Sequence, residues 1–252
     1  MKVVVDGLMT EYEAEGRGKA VLFLHGWGSS KEVFKGLGEE LKDKYRVVAV
    51  NLPGFGGTDE PKKPWEVDDY VEFVASFLKK AKVPRVYAIV GHSFGGRVMI
   101  KGCTNGKLNS EKLVFIDAAG VKSKRTARTR AFNAMAKVGN VMLSLPIINR
   151  FRKMMKIRLY RKAGVSDYLN ASELMRETFK KTIDEDLSSL IKEIRQKCLI
   201  IWGEDDHDTP VSDVYIFKQI KHSRAHILSG AGHYAFLDKP EETARLVKDF
   251  LR

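Results

Sequence analysis

The 252-residue chain predicts an α/β fold built on a mostly parallel sheet with helices on both faces. Three observations carry this expectation. Short apolar, β-branched runs recur along the chain, and helix-compatible stretches alternate with them. The alternation is interrupted only once, between Asp117 and Cys198, by a long segment without a strand-like run.

In order, Val3 to Val5 and Tyr12 to Glu15 lie close enough for an antiparallel hairpin at the sheet edge. Val21 to Leu24 is a strand that runs straight into His25-Gly26-Trp27-Gly28, and Val33 to Asp43 reads as a helix. Val47 to Val50 is the next strand, followed by Asn51-Leu52-Pro53-Gly54-Phe55-Gly56 as a structural loop and by a helix over Asp68 to Ala81. Val86 to Val90 leads into Gly91-His92-Ser93-Phe94-Gly95 and a helix from Gly96 to Cys103; Leu113 to Ile116 is the strand that ends near Asp117. The segment that follows runs about 80 residues, too long and too patterned for a structureless loop, and reads as a helical insertion over 121–195 between core segments 1–120 and 196–252. Leu199 to Trp202 and a weaker Ala225 to Leu228 complete the strands. Helices over Ser212 to Ile220 and Pro240 to Phe250 complete the rest, the last with Pro240, Glu241 and Glu242 in its first turn, as a helix N-terminus favours.

No run approaches the roughly 18 consecutive apolar residues of a membrane span, and Asp6 interrupts the first apolar stretch too early for a signal-peptide core. A cytoplasmic protein is the expectation. Cys103 and Cys198 fall in apolar stretches without metal-ligand spacing, so buried reduced thiols are expected and no metal. The net charge of +12 is uneven: Val121 to Arg195 holds 18 Lys and Arg against 7 Asp and Glu, leaving 26 against 25 elsewhere.

The chemistry centres on Ser93. A serine alcohol is a poor nucleophile unless a tight turn presents it to a base on one side and to backbone amides on the other, and Gly91 and Gly95 allow that turn. The glycines of His25-Gly26-Trp27-Gly28 let the backbone turn and present the Trp27 amide toward the strand ends; the Phe94 amide, next to Ser93, is the second donor. Each such oxyanion donor is worth roughly 3 kcal/mol of barrier in serine hydrolases. Trp202-Gly203-Glu204-Asp205-Asp206-His207-Asp208 leaves a strand with three aspartates able to orient an imidazole, and Gly230-Ala231-Gly232-His233 brings a histidine to a strand end. His92 reads as a residue that orients the turn by hydrogen bonding, and His25 as one that packs beneath the Trp27 loop.

These segments, together with Asn51 to Gly56, occur in the order and spacing of the α/β-hydrolase superfamily, and the whole chain resembles its small serine esterases with a helical cap. The resemblance implies an eight-stranded, mostly parallel sheet with the cap inserted after the sixth strand. It implies Ser93, Asp206 and His233 as the catalytic triad, Asp206 filling the Trp-Gly-x-x-Asp position, with the Trp27 and Phe94 amides as oxyanion hole and no cofactor. Asp117, 24 residues past Ser93, is the competing acid, because some relatives place theirs after that strand.

The expected activity is a carboxylesterase-like hydrolysis of short to medium acyl esters through an acyl-enzyme. The alternatives are another triad chemistry (carbon-carbon hydrolase, acyltransferase or perhydrolase) or a ligand-binding signalling protein of the same fold. A nucleophilic Ser rather than Asp argues against dehalogenase and epoxide-hydrolase chemistry. Within the insertion, Pro146 to Lys162 forms an amphipathic basic pattern whose apolar side, with five of the eight methionines nearby, suits an adaptable acyl pocket. Phe151, Met154 and Met135 are the candidate substrate-binding residues. The basic side reads first as a solvated face, and in the sharper reading as a weak contact with an anionic membrane surface. A small-molecule ester is the expected partner; no nucleic-acid motif accompanies the charge.

Overall fold

The computed structural model describes residues 1–122 and 171–252. The chain divides into two compact units, Met1–Lys122 with Glu177–Arg252, and Ser123–Arg176. Met135, Phe151, Met154 and the basic stretch from Pro146 to Lys162 lie outside the described residues. Of the second unit the described part is 171–176, where the Ser172 hydroxyl accepts the Met175 amide (3.1 Å) as a helix begins.

The first unit is an eight-stranded sheet in the order β1-β2-β4-β3-β5-β6-β7-β8. The strands are β1 (Lys2–Val5), β2 (Leu8–Glu15), β3 (Lys19–Leu24), β4 (Tyr45–Val50), β5 (Val86–His92), β6 (Lys112–Ile116), β7 (Lys197–Gly203) and β8 (Ser223–Leu228). β2 is antiparallel to both neighbours, with Val4 opposite Met9 and Tyr12 opposite Val50; every pair from β4 to β8 is parallel. The edge hairpin expected from the first segments is therefore present, and each expected strand is extended by one or more residues.

Alternation along each strand sends its apolar residues to two separate cores. On β3, Leu22 and Leu24 join Tyr70, Phe73 and Phe77 of α2 (Val67–Lys80) and Val98 of α3 (Phe94–Thr104). Val21 and Phe23 join Phe34, Leu37 of α1 (Lys35–Glu39) and Val247 of the C-terminal helix (Pro240–Leu251) on the other face.

Two helices are shorter than their patterns suggest. Val33 to Asp43 splits into a 3₁₀ turn, Lys31–Phe34, and the five-residue α1, whose Gly36 and Gly38 are poor helix formers. Ser212 to Ile220 splits likewise into a 3₁₀ turn, Val211–Asp213, and a four-residue helix, Val214–Phe217. Among the described residues of the insertion, helices run over Glu173–Asp184 and Ser188–Ile191. No described helix is long and apolar enough to cross a membrane.

Candidate active site

The parallel strands all end at one edge of the sheet, and the candidate residues gather in the turns that leave those ends. Ser93 sits between β5 and α3 with φ 49° and ψ −113°, a left-handed conformation that costs on the order of 1–3 kcal/mol for a residue with a Cβ. The surrounding packing enforces it. A Cβ on Gly95 would fall 2.1 Å from the carbonyl oxygen of Leu24, and one on Gly91 would fall 2.2 Å from the Met99 sulfur. The Ser93 carbonyl accepts the Gly96 and Ala119 amides, both at 2.9 Å, and its own amide donates to Ile116 O at 3.2 Å.

His233, in the turn after β8, brings Nε2 to 3.0 Å from Ser93 Oγ and Nδ1 to 2.9 Å from Asp206 Oδ2. Asp206 lies in the turn after β7, and its carboxylate is fully engaged: Oδ1 accepts the amides of Asp208 (2.8 Å) and Thr209 (3.0 Å), and Oδ2 accepts the Thr209 hydroxyl (2.7 Å). Buried Trp202 steadies this turn by donating Nε1–H to Thr209 O at 2.8 Å. Burial works to raise the Asp206 pKa, but the bonds from His233 and Thr209 outweigh it and hold the carboxyl below its ordinary range. Burial likewise disfavours the His233 imidazolium, yet the Asp206 bond and the charges of Asp206, Asp208 and Asp117 raise its pKa above that of an ordinary histidine.

Asp117, at the end of β6, has a different set of partners. Its Oδ1 accepts the Gly203 amide at 2.7 Å and its Oδ2 the Ala235 amide at 2.9 Å, while His233 Nδ1 meets Asp206. Burial pushes this carboxyl up to about 7 against the pull of those two amides. Asp205 and Asp208 are exposed loop acids, and His207, His222 and His226 are exposed as well.

Trp27 follows β3, and the Gly26 before it packs so tightly that a Cβ there would lie 3.1 Å from Ser93 Cβ. The Phe94 amide is the first of α3, where no intrahelical carbonyl is available to it. The Trp27 ring contacts Phe55 (4.8 Å between centroids), Phe94 (5.4 Å) and Phe179 (5.0 Å), so an aromatic cluster joins the Trp27 turn to the first residue of α3. Phe55 brings the loop after β4 into that cluster; Phe179 carries no signal in the sequence, because nothing local links position 179 to position 27.

Two buried histidines support the arrangement. His25 accepts the Leu52 amide at Nε2 (2.9 Å) and donates from Nδ1 to Gly26 O (2.8 Å), tying the Trp27 turn to the Asn51 loop; desolvation lowers its pKa to about 4. His92 donates from Nε2 to the His233 carbonyl at 2.7 Å. A third side chain, Asp238, accepts the Gly232 amide at 2.8 Å, so the His233 turn is held on several sides. Among the described residues no group of His, Cys, Asp and Glu is arranged to hold a metal ion.

The comparisons with known proteins agree with this architecture. Residues 21–246 match the model of the alpha/beta hydrolase family. The chain is 26% identical over 272 residues to a 2-hydroxy-6-oxo-2,4-heptadienoate hydrolase from Pseudomonas putida, covering 99% of this chain and 95% of that protein. It is 22% identical to a monoacylglycerol lipase from Homo sapiens, over 94% of this chain and 76% of the lipase. In fold it is similar to the crystal structure of a membrane phospholipase A, a bacterial virulence factor, with TM-score 0.78, 24% identity, and coverage of 100% of this chain and 84% of the other.

Proposed function

This chain belongs to the alpha/beta hydrolase family, and on that premise we propose that it is a serine hydrolase that cleaves carboxylic esters of short to medium acyl chains through an acyl-enzyme. The observation that supports this reading is the continuous relay from Ser93 Oγ to His233 Nε2 at 3.0 Å and from Nδ1 to Asp206 at 2.9 Å.

In this reading His233 Nε2 accepts the Ser93 proton as Oγ attacks the ester carbonyl, and Nδ1–H stays with Asp206, which fixes the tautomer and stabilises the imidazolium. The Trp27 and Phe94 amides stabilise the oxyanion. His233 then delivers the proton to the departing alkoxide. Water, deprotonated by the same nitrogen, attacks the acyl group and releases the acid, and the proton returns to Ser93. In this reading the half-buried rings of Trp27 and Phe179 supply apolar surface beside the reacting carbonyl. None of these steps requires a cofactor.

A second reading is the hydrolysis of an oxo-dienoate like the one named for the Pseudomonas putida relative, favoured by the near end-to-end match to that protein. One panel separates the two: p-nitrophenyl esters from acetate to dodecanoate and an oxo-dienoate, tested on wild type and Ser93→Ala. Saturable ester turnover that is lost in Ser93→Ala is the expected result. Ester turnover no greater than the Ser93→Ala background, with turnover of the dienoate, overturns the esterase in favour of the second reading.

A further inference from the structure

We propose that Asp117 is a positioning residue that clamps the turn bearing Asp206 to the turn bearing His233 and thereby sets the reach of the imidazole toward Ser93. The inference rests on the serine-hydrolase reading for its consequence in catalysis, but the clamp itself is a matter of hydrogen bonds.

Asp117 has left its strand: φ is 45°, and its amide donates to Ile201 O on the neighbouring β7 at 3.0 Å. The left-handed turn accompanies a carboxylate set between two backbone amides. Gly203, bound at 2.7 Å, stands three residues before Asp206; Ala235, bound at 2.9 Å, stands two residues after His233. The Asp117 carbonyl lies 3.1 Å from the Thr209 hydroxyl, which donates to Asp206 Oδ2 at 2.7 Å. Asp117 therefore touches both turns from a fully buried position without bonding either the imidazole or the serine. A carboxylate that only finished its own strand would need one of these partners. The two amides come from segments separated along the chain by the whole of β8, and no other described side chain accepts an amide from both turns.

Substitution by Asn tests the arrangement because an amide keeps the size but offers only one oxygen. Its NH₂ must face one of the two backbone donors, leaving a buried N–H unpaired. Two readouts are taken on wild type, Asp117→Asn, Asp206→Ala and the double variant, all well below their unfolding midpoints. The first is the rate of Ser93 labelling by a fluorophosphonate; the second is the solvent exchange rate of the His233 Nδ1 proton by NMR. We expect Asp117→Asn to slow labelling about tenfold, since small displacements of a reacting group have effects of that order or more, and to speed proton exchange by a similar factor. In the Asp206→Ala background the same substitution slows labelling less than about twofold, because a residue that acts through the His233–Asp206 contact loses its lever when that contact is gone. Labelling and exchange at wild-type rates in Asp117→Asn, or equal fold losses in both backgrounds, overturn the proposal. Absence of labelling in wild type overturns the serine-hydrolase reading instead, and the clamp is then judged by proton exchange in Asp117→Asn against wild type. Should the Asn variant not fold, Asp117→Ser, whose hydroxyl can accept one amide without presenting an NH₂, is read in its place.

Discussion

His92 Nε2 lies 2.7 Å from the carbonyl oxygen of His233, so the residue beside the elbow serine holds the main chain of the histidine that contacts that serine. Desolvation pushes the His92 pKa down to about 3, which keeps the ring neutral, and the bond requires its proton on Nε2. Its Nδ1 is buried with no hydrogen-bond partner among the described residues and faces Gly26, where a Cβ would come within 2.9 Å of it. One imidazole thus braces the His233 turn by a hydrogen bond and packs closely beside Gly26.

Replacing His92 by Leu leaves the part-buried His233 carbonyl without its donor. The expected loss is about 1–3 kcal/mol of unfolding free energy by urea titration, with kcat for a p-nitrophenyl ester lowered several-fold and KM nearly unchanged. An unchanged kcat in a folded His92→Leu protein contradicts this bracing role.

The pH profile of kcat/KM follows from the raised pKa of His233. A general base must be neutral, so activity rises with pH as the imidazolium loses its proton, and the acid limb should have its midpoint above the roughly 6.5 of an unperturbed histidine. Asp206→Asn removes the bond and charge that raise that pKa, leaving burial to act against the charged form. Its limb should move to lower pH while the plateau falls by orders of magnitude. A wild-type midpoint below 6.5, or no movement in Asp206→Asn, counts against the assignment.

Gly91 and Gly95 differ in what a methyl group would strike. At Gly91 it meets the Met99 sulfur first and the Gly95 carbonyl carbon only at 2.9 Å; at Gly95 its nearest contact is the Leu24 backbone itself, which is fixed in β3. Gly95→Ala is expected to cost at least about 3 kcal/mol or abolish folding, and Gly91→Ala about 1–2 kcal/mol. Thermal denaturation of the two variants side by side reads the order, and the reverse order contradicts the packing argument.

Thr209 stabilises the ionised form of Asp206 through its hydroxyl and its amide. Thr209→Val keeps the amide and the shape but loses the hydroxyl. The expected outcome is a several-fold drop in kcat and an acid limb displaced to lower pH, since a carboxylate less firmly oriented supports the imidazolium less well. A profile identical to wild type would show that the amides alone suffice.

Much of this arrangement is legible in the sequence where function demands a local pattern. The elbow around Ser93 must have small residues two positions either side, and His233 must stand among small residues at a strand end; both signals are contiguous. The Trp-Gly-x-x-Asp pattern favours Asp206 over Asp117 by resemblance, but the physical difference between the two is not local. Each follows a strand, and what separates them is that the amides of Gly203 and Ala235 converge on Asp117 from distant parts of the chain. Thr209, Phe179 and the bracing bond of His92 are hidden for the same reason, since each acts on a partner brought near only by the folded sheet. Apolar spacing overstates helix length where glycine or short local turns outweigh it, as at Gly36 and Gly38. The short helix Ala235–Asp238 gave no signal because four residues cannot show a period.

In the proposed reaction Ser93 forms a covalent acyl intermediate. The most direct measurement is the intact and peptide mass of the protein quenched in acid during turnover of p-nitrophenyl butyrate, on wild type and on Ser93→Ala. A butyryl adduct that maps to Ser93, absent from Ser93→Ala, is the predicted result. Turnover of the ester by wild type with no adduct at Ser93 and undiminished turnover by Ser93→Ala would contradict it.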